Sequence, residues 1–310
     1  MFSIALIGIG PMAANHAQAL ATIPELKIVS CASRSLERAQ RFAGEHGIPR
    51  ARLIDDVLAR PEADAVWVVA PAVAMAQTAL HLNPFGIPLF LEKPVGLDLE
   101  ESTAVRDALT VPHMVGLNRR FYEVIGLGRR MIEQAGGLRA MEIHMPEDVY
   151  SLPDETYPAR LKRQWQFANS VHMIDLFRVM GGEAAAVHRF NDVRDAADRG
   201  FISVVDFQRG GRGVFNAQWY APGRWRMALY ADGLSLVYQP VEQVIVMRRG
   251  EAMQTIGPAG PDGTLKAGLH GQALAFLHLL STGTLHPEAA DMTEYLRSCT
   301  LVDQITTLQS

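Results

Sequence analysis

The chain contains little cysteine and no long apolar segment. Its 310 residues include two cysteines, Cys31 and Cys299, which lie far apart in the sequence. Two isolated thiols exclude a zinc knuckle and the disulfide framework of a small secreted domain, so we expect a reducing compartment, the cytoplasm. No segment offers the ~18 consecutive apolar residues that a membrane-spanning helix requires, and we therefore predict no membrane partner.

Neither sign of charge dominates. The 29 Lys and Arg residues face 33 Asp and Glu residues, which gives a formal net charge of -4 at pH 7. A small, mixed charge argues against nucleic acid or an anionic membrane as the main partner. The hydrophobic fraction of 48% is that of a globular protein, and 310 residues suffice for two domains with ordinary cores.

Short apolar runs alternate with helical patterns in the first third of the chain. Buried strands are predicted over residues 2–7, 27–32, 65–70, 89–91 and 113–117, and helices over residues 15–22 and 36–46. Strands this apolar, separated by helices, indicate a parallel sheet that is covered on both faces. We predict a doubly wound, Rossmann-type α/β domain over residues 1–118.

The pattern changes after that point. Alternation typical of strands is found at residues 201–207, 213–219, 226–230, 235–238 and 243–247, after one helix at residues 122–134. Short turns between these strands indicate antiparallel pairing, with one face of the sheet packed on helices. A surface loop is predicted over residues 257–263, and helices over residues 270–281 and 292–308. We predict an α+β domain over residues 119–310 with a large, mostly antiparallel open sheet.

The apolar N-terminus has two interpretations, a secretory leader or a buried strand followed by a turn. Residues 1–21 lack the basic residues that open a leader, and Gly8, Gly10 and Pro11 would break its apolar core. The strand and turn therefore explain this segment better.

A glycine-rich turn joins the first predicted strand to the first predicted helix. Gly8 suits a tight turn, Gly10 suits close approach of the backbone to a pyrophosphate, and Ala13 suits packing of helix on strand. Pro11 and Met12 open the helix, whose free amides then face the phosphates. A simple glycine turn is the alternative, but the position between strand and helix favours a dinucleotide site.

The end of the second predicted strand bears on the choice of cofactor. An NAD site usually has an acidic residue there, which binds the ribose hydroxyls. This chain has Ser33 and Arg34 at that place and Arg38 one helical turn later, and these groups suit a 2′-phosphate. We predict NADP(H) as the preferred cofactor and NAD(H) as the alternative. The other interpretation is that both arginines are only solvated.

A third element follows the fourth predicted strand. Glu92, Lys93 and Pro94 stand at its carboxyl end, the edge of an open α/β sheet where ligands bind. A lysine held there by a proline can reach both the nicotinamide ribose and a substrate hydroxyl. Taken alone, a lysine at a strand end is more often a solvated surface residue.

Together these segments resemble the glucose-fructose oxidoreductase and inositol dehydrogenase family of NAD(P)-dependent oxidoreductases. The resemblance rests on Gly8, Gly10 and Met12 with His16, on Glu92-Lys93-Pro94, on residues 116–121, on residues 169–175 and on the late helix beginning at His270. It implies a Rossmann domain and an open mixed sheet, which members often use to form dimers or tetramers. It also implies hydride transfer on a sugar or cyclitol, with Lys93 and His172 in the catalytic roles.

Two segments depart from the family pattern. The aspartate that members often carry four residues before the histidine is Ala168 here, with Asn169 beside it. After the third strand, the family's Thr-Pro-Asn is Ala-Pro-Ala, and Met75 stands at a position where members have a histidine. Pro71, which is kept in that motif, is assigned to the cofactor site with Glu92. These changes bear on the substrate and on the direction of the reaction.

The helix around His172 can also be interpreted from its residues alone. His172 and Asp175 fall on the same side of an apolar helix, and a histidine is a suitable proton donor or acceptor for an alcohol. A structural pair of these two residues is an alternative. A chelating pair is another, but no third ligand is evident, so we predict no metal. Asn169 and Asp175 are candidates for substrate contacts.

We therefore expect an oxidoreductase that transfers a hydride between NADP(H) and a hydroxyl or carbonyl carbon of a sugar, cyclitol or related polyol. Lys93 would hydrogen-bond the reacting oxygen and His172 would exchange its proton, in the cleft between the two domains. The expected partners are a small sugar-like substrate and further copies of the chain, as a homodimer or homotetramer. Two alternatives stay open: an enzyme with a retained cofactor doing net isomerisation or glycosidic cleavage, and a non-catalytic nucleotide-sensing regulator.

Overall fold

The computed structural model describes residues 1–190 and 199–307. The chain divides into two compact units, the first made of Met1–Phe121 with Gly260–Leu296 and the second of Tyr122–Ala259 with Arg297–Ser310. The chain enters the second unit after Phe121, whereas the predicted domain boundary is at residue 118. That Gly260–Leu296 belongs to the first unit was not predicted. Within the described part of the chain, no helix has the length and apolarity needed to cross a membrane.

The first unit is built on a parallel sheet. Its strands are β1 (Phe2–Ile7), β2 (Leu26–Ser33), β3 (Arg50–Leu53), β4 (Ala65–Val68), β5 (Leu89–Glu92) and β6 (His113–Gly116). All pair in parallel, in the order β3-β2-β1-β4-β5-β6, which confirms the predicted doubly wound sheet. The order reverses between β1 and β4, and ligands of open parallel sheets bind at the carboxyl ends of the strands at such a point.

Helices connect these strands. They are α1 (Pro11–Ala21), α2 (Leu36–His46), α3 (Ile54–Ala59), α4 (Ala72–Leu82) and α5 (Leu99–Ala108). α2 has the predicted bounds, because the Ser35 side chain caps its start and Gly47, with a φ of 63°, ends it. α1 begins at Pro11 rather than at residue 15, since a proline suits the first helical position.

The C-terminal part of the chain adds three helices, α9 (Gly260–Thr264), α10 (Leu269–Thr282) and α11 (Met292–Thr306). On α10, Phe276 packs edge-on against Trp67 of β4, with ring centroids 5.2 Å apart. The prediction of a loop over residues 257–263 is wrong for residues 260–263, which belong to α9. Pro261 presets the backbone for a helix start, and the amide of Leu265 closes the turn onto the Pro261 carbonyl at 2.8 Å. Residue 308, the predicted end of the last helix, lies outside the described residues.

The second unit is built on a mixed sheet. Its strands are β7 (Ala140–Pro146), β8 (Ala184–Arg189), β9 (Gly200–Phe207), β10 (Arg212–Gln218), β11 (Arg226–Ala231), β12 (Leu234–Tyr238), β13 (Val244–Arg248) and β14 (Gln254–Ile256). Their order is β14-β13-β12-β11-β7-β10-β9-β8. Only β7 and β10 pair in parallel among these strands, which confirms the large, mostly antiparallel sheet.

One face of this sheet packs on helices, as predicted. The helices are α6 (Glu123–Gln134), α8 (Val171–Gly181) and the end of α11. The short helix α7 (Ala159–Arg163) also belongs to this unit but buries none of its residues. Gly128 of α6 lies so close to Tyr238 of β12 that a Cβ there would overlap the hydroxyl, which donates to the Val124 carbonyl at 3.2 Å. Gly213 of β10 lies equally close to α8, because a Cβ there would overlap the ring of Phe177.

Candidate active site

The turn after β1 requires glycine at its first position. Gly8 has a φ of 105° and donates its amide to the carbonyl of Ala32, 3.0 Å away. A Cβ at Gly8 would overlap the carbonyl oxygen of Val69, so the backbone conformation and the available space both exclude a side chain. The turn therefore brings the end of β1 against the chain that leaves β4.

The next glycine leaves open space at the start of α1. A Cβ at Gly10 would meet no atom of the described residues within 4 Å. Gly10 is the N-cap of α1, and its start is capped by no side chain in that part of the chain. Pro11 takes the first helical position, Met12 is half-buried behind it, and the first turn of α1 holds no acidic residue. Uncapped amides beside open space suit the pyrophosphate of a dinucleotide. These residues therefore fit the predicted cofactor.

The carboxyl end of β2 presents a hydroxyl and two guanidinium groups. Ser33 is half-buried, and its Oγ accepts a hydrogen bond from the backbone of the turn at 3.0 Å. Arg34 and Arg38 are exposed, and neither forms a salt bridge with a described residue. Glu37, the acidic residue in the first turn of α2, is paired with Arg41 at 3.3 Å. The place where NAD sites usually have a carboxylate is therefore cationic.

Glu92 and Lys93 stand at the carboxyl end of β5. Glu92 is buried, with its Oε2 3.2 Å from Nε2 of His16 on α1, and Lys93 is half-buried. Pro71 is exposed at the N-cap of α4, directly after β4. Because the carboxyl ends of parallel strands meet at one edge of a sheet, Ser33, Pro71 and Lys93 all lie at the edge that also holds the glycine turn.

His172 lies in the first turn of α8, in the second unit, and is 5% exposed. One turn later, the buried carboxylate of Asp175 accepts a hydrogen bond from Ser298 Oγ of α11 at 2.6 Å. Arg178 donates to the same hydroxyl at 2.9 Å and pairs with Glu183 at 2.6 Å. Asp175 thus belongs to a hydrogen-bond network that joins α8 to α11. Among the residues described, no group of three or more His, Cys, Asp or Glu is placed to hold a metal.

A carboxylate that the sequence analysis did not single out contacts the segment that leads into α8. Glu147 follows β7 and accepts hydrogen bonds from Trp165 Nε1 at 2.8 Å and from Asn169 Nδ2 at 3.0 Å. Asn169 belongs to a π-helical turn, Gln166–Ser170, that leads into α8, and such turns are frequent at functional sites. Along β7, buried residues alternate with more exposed ones, with the two-residue period of a strand. The sequence shows the same alternation of apolar and polar residues, and this was the signal that could have revealed β7 and Glu147 at its end.

The strand order, its reversal at β1 and β4 and the glycine turn define a dinucleotide-binding protein of the Rossmann type. Residues 2–115 match the GFO_IDH_MocA model, described as an oxidoreductase family with an NAD-binding Rossmann fold. Over residues 2–115 the chain therefore matches the glucose-fructose oxidoreductase and inositol dehydrogenase family that its motifs predicted.

Two curated relatives match beyond the N-terminal unit. The inositol 2-dehydrogenase of Rhizobium meliloti (strain 1021) is 27% identical over 212 residues, which cover 64% of this chain and 63% of the relative. The levoglucosan dehydrogenase of Pseudarthrobacter phenanthrenivorans is 28% identical over 213 residues, which cover 60% of this chain and 53% of the relative. The matched part of this chain therefore spans less than two thirds of the length of each relative.

A solved structure extends the similarity to nearly the whole chain. Levoglucosan dehydrogenase in complex with NADH and levoglucosan covers 98% of this chain and 95% of its own, with a TM-score of 0.81. The two sequences are 19% identical over this match. The likeness therefore concerns the fold, including the open sheet of the second unit.

Proposed function

We propose that the protein is a dehydrogenase or reductase that transfers a hydride between NADP(H) and a hydroxyl or carbonyl carbon of a sugar, a cyclitol or a related polyol. One observation carries the proposal: the open, uncapped start of α1 at Gly10 and the half-buried Lys93 lie at the same edge of the parallel sheet. A nucleotide sensor needs the helix start but has no use for a lysine at the reacting end. Lys93 therefore favours an enzyme.

Two side chains are assigned to the chemistry. The nicotinamide ring, when bound, supplies or accepts the hydride. Oxidation of an alcohol also releases the hydroxyl proton, and reduction takes one up, so a protein group must exchange it. Lys93 donates a hydrogen bond to the reacting oxygen, and His172 exchanges the proton with that oxygen. The family resemblance supports both roles, and the edge position of Lys93 supports the first.

NADP(H) is the preferred cofactor in this proposal, and NAD(H) is the alternative. The support is the exposed pair Arg34 and Arg38, with Ser33 beside them at the end of β2. Guanidinium groups form strong charge-assisted hydrogen bonds to phosphate. The similar levoglucosan dehydrogenase structure holds NADH, so the fold by itself does not determine the choice.

The substrate class is inferred from the relatives. They act on inositol and on levoglucosan, both of which are cyclic polyols. Asn169 donates a hydrogen bond to Glu147, and these two side chains are the candidates for contacts with substrate hydroxyls. Asp175 was a candidate from the sequence, but its hydrogen bond to Ser298 favours a role in holding α8.

We also propose a homodimer or homotetramer in the cytoplasm. The sheet of the second unit exposes Ile202 and Met247, which are 44% and 38% accessible, and a second copy of the chain would cover them. Cys31 and Cys299 are buried thiols that are not joined in a disulfide, which suits a reducing compartment. Light scattering over a range of protein concentrations tests the assembly.

Calorimetry and a turnover screen test the activity. NADP+ and NAD+ are titrated at one salt concentration, and cyclitols and anhydrosugars are then screened by nicotinamide absorbance. Binding with turnover of a polyol is the expected result. Binding without turnover of any polyol would favour a sensor, and nucleotide released only on denaturation would favour an enzyme with a retained cofactor.

A further inference from the structure

A histidine lies inside the core of the first unit. His16 is in the middle of α1 and is 0% exposed. Its ring meets the rings of Trp67 and Phe90 edge-on, with centroids 5.4 Å away in each case. The described residues offer one polar partner, the Oε2 atom of Glu92, at 3.2 Å from Nε2. A polar ring in such surroundings requires an explanation other than core filling, which an apolar side chain would serve better.

The hydrogen-bond pattern determines where the proton of this ring lies. Nδ1 of His16 is buried and has no hydrogen-bond partner among the described residues. A proton on Nδ1 would leave a buried N–H donor unsatisfied, which costs more than an unused lone pair. The hydrogen of this ring therefore lies on Nε2. In this tautomer His16 donates to the Glu92 carboxylate and orients it.

The carboxylate is confined from the opposite side as well. A Cβ at Gly116, at the end of β6, would overlap Oε2 of Glu92. The side chain of Glu92 is 8% exposed, so it has little freedom to leave this position. Glu92 is therefore held between α1 and β6, and the residue that follows it is Lys93.

Two functional segments are connected by this contact. α1 begins at Pro11, beside the open space that suits a pyrophosphate, and His16 lies five residues further on, about 7.5 Å along the helix. Lys93 directly follows the carboxylate that His16 holds. A shift of α1 relative to β5 would thus change the distance between the phosphate end of the site and the reacting end.

We propose that His16 is a positioning residue, which holds Glu92 and thereby sets the place of Lys93 relative to the phosphate-binding start of α1. The proposal rests on the proposed function, since it assumes that a nicotinamide dinucleotide spans these two segments. His16 itself touches neither substrate nor cofactor. Its effect passes through the Glu92 carboxylate.

Two substitutions of His16, to Leu and to Gln, distinguish a positioning role from simple core filling. The two roles predict opposite orders for how well these variants preserve function. His16→Leu fills the apolar pocket and removes the donor to Glu92. His16→Gln keeps an N–H donor near the position of Nε2 and is the poorer core residue. A positioning role predicts that Gln preserves function better than Leu, whereas core filling predicts the reverse in stability and in function.

The readouts are cofactor affinity and steady-state kinetics. We expect His16→Leu to weaken NADP+ binding and to lower kcat, each by roughly ten- to hundredfold, the effect of losing a hydrogen bond to a charged group. His16→Gln should recover most of both. Adenosine 2′,5′-bisphosphate, which has no nicotinamide half, should bind His16→Leu and the wild type equally.

His113→Leu is the matched control. His113 lies in the same unit, and its Nε2 accepts a hydrogen bond from the Met292 amide at 3.0 Å without contact to Glu92. It should lower the unfolding temperature while kcat and NADP+ affinity stay at wild-type values. Wild-type values for His16→Leu, or equal losses for Leu and Gln, would overturn the positioning role. A wild-type protein that binds no nicotinamide dinucleotide would instead overturn the proposed function.

Discussion

Gly8 lies directly against the carbonyl group of Val69, whereas Gly10 faces open space. The two glycines of the turn are therefore expected to respond differently to a methyl group. Gly8→Ala should lower the free energy of unfolding by about 1–3 kcal/mol, because it adds both strain at a positive φ and an overlap. Gly10→Ala should leave that free energy unchanged and weaken NADP+ binding by roughly tenfold or more, about 1.4 kcal/mol.

Denaturant unfolding and calorimetric titration of the two variants check this difference. Each variant serves as the control for the other, since both add the same methyl group to the same turn. NADP+ binding to Gly10→Ala with wild-type affinity would mean that the pyrophosphate does not approach this turn.

Arg34 is expected to decide between the two nicotinamide cofactors. Arg34→Ala should weaken NADP+ binding by about 1–3 kcal/mol, the magnitude of a hydrogen bond to a charged group, and should change NAD+ binding little. Arg41→Ala is the control, because Arg41 is an exposed arginine of α2, the helix that follows Arg34, and is paired with Glu37. Equal affinity of the wild type for both cofactors, or tighter binding of NAD+, would contradict the preference.

The first unit was largely predictable because its signals are local. α2 has the predicted bounds, since both its cap Ser35 and its terminating Gly47 are adjacent to it in sequence. The strands of the parallel sheet are apolar on both faces and stand out in the same way. The edge strand β3 was missed, since its exposed ends give it no such apolar run.

The second unit was less predictable because its contacts are distant in sequence. Asp175 and Ser298 are 123 residues apart, and no local pattern marks them as partners. Glu147 bonds to Asn169 across 22 residues, and it was missed together with β7. Lys93 and His172 were predicted from the family motifs together with their places at a strand end and on an apolar helix, and their joint action stays a prediction.

The network around Asp175 is expected to serve stability and not substrate binding. Asp175→Asn and Ser298→Ala should each lower the free energy of unfolding by about 1–3 kcal/mol, because each removes a charge-assisted, buried hydrogen bond. KM for the polyol should stay at its wild-type value in both. Ser281→Ala, at an exposed position of α10, is the control for stability. A raised KM in Asp175→Asn with unchanged stability would restore Asp175 as a substrate contact.

Burial raises the pKa of the Cys31 thiol from 9.0 to about 11. A group whose pKa is higher in the folded chain stabilises the fold below its unfolded value and loses that contribution as the pH rises through the folded value. We therefore expect the free energy of unfolding to fall between pH 9.0 and pH 11. Denaturant unfolding of the wild type and of Cys31→Ala across this interval checks the origin of the loss. An identical decline in both would assign it to another group.

Lys93 and His172 are expected to affect turnover in different ways. Lys93→Ala removes the donor to the reacting oxygen, so kcat should fall by about 10²–10⁴-fold while NADP+ binding and the unfolding temperature change little. His172→Asn keeps a side chain that can hydrogen-bond but cannot exchange a proton. The pH profile of kcat/KM should therefore lose the limb that the wild type shows near neutral pH.

His188→Asn is the control for that profile, because His188 lies on the sheet of the second unit and pairs with Asp206 at 2.9 Å. Its profile should match that of the wild type. If His172→Asn also keeps the wild-type profile, His172 does not carry the proton, and Lys93 or a bound water remains as the relay. If Lys93→Ala keeps near-normal turnover, Lys93 is only a residue at the edge of the sheet. The two results are independent, because each variant removes one group and leaves the other in place.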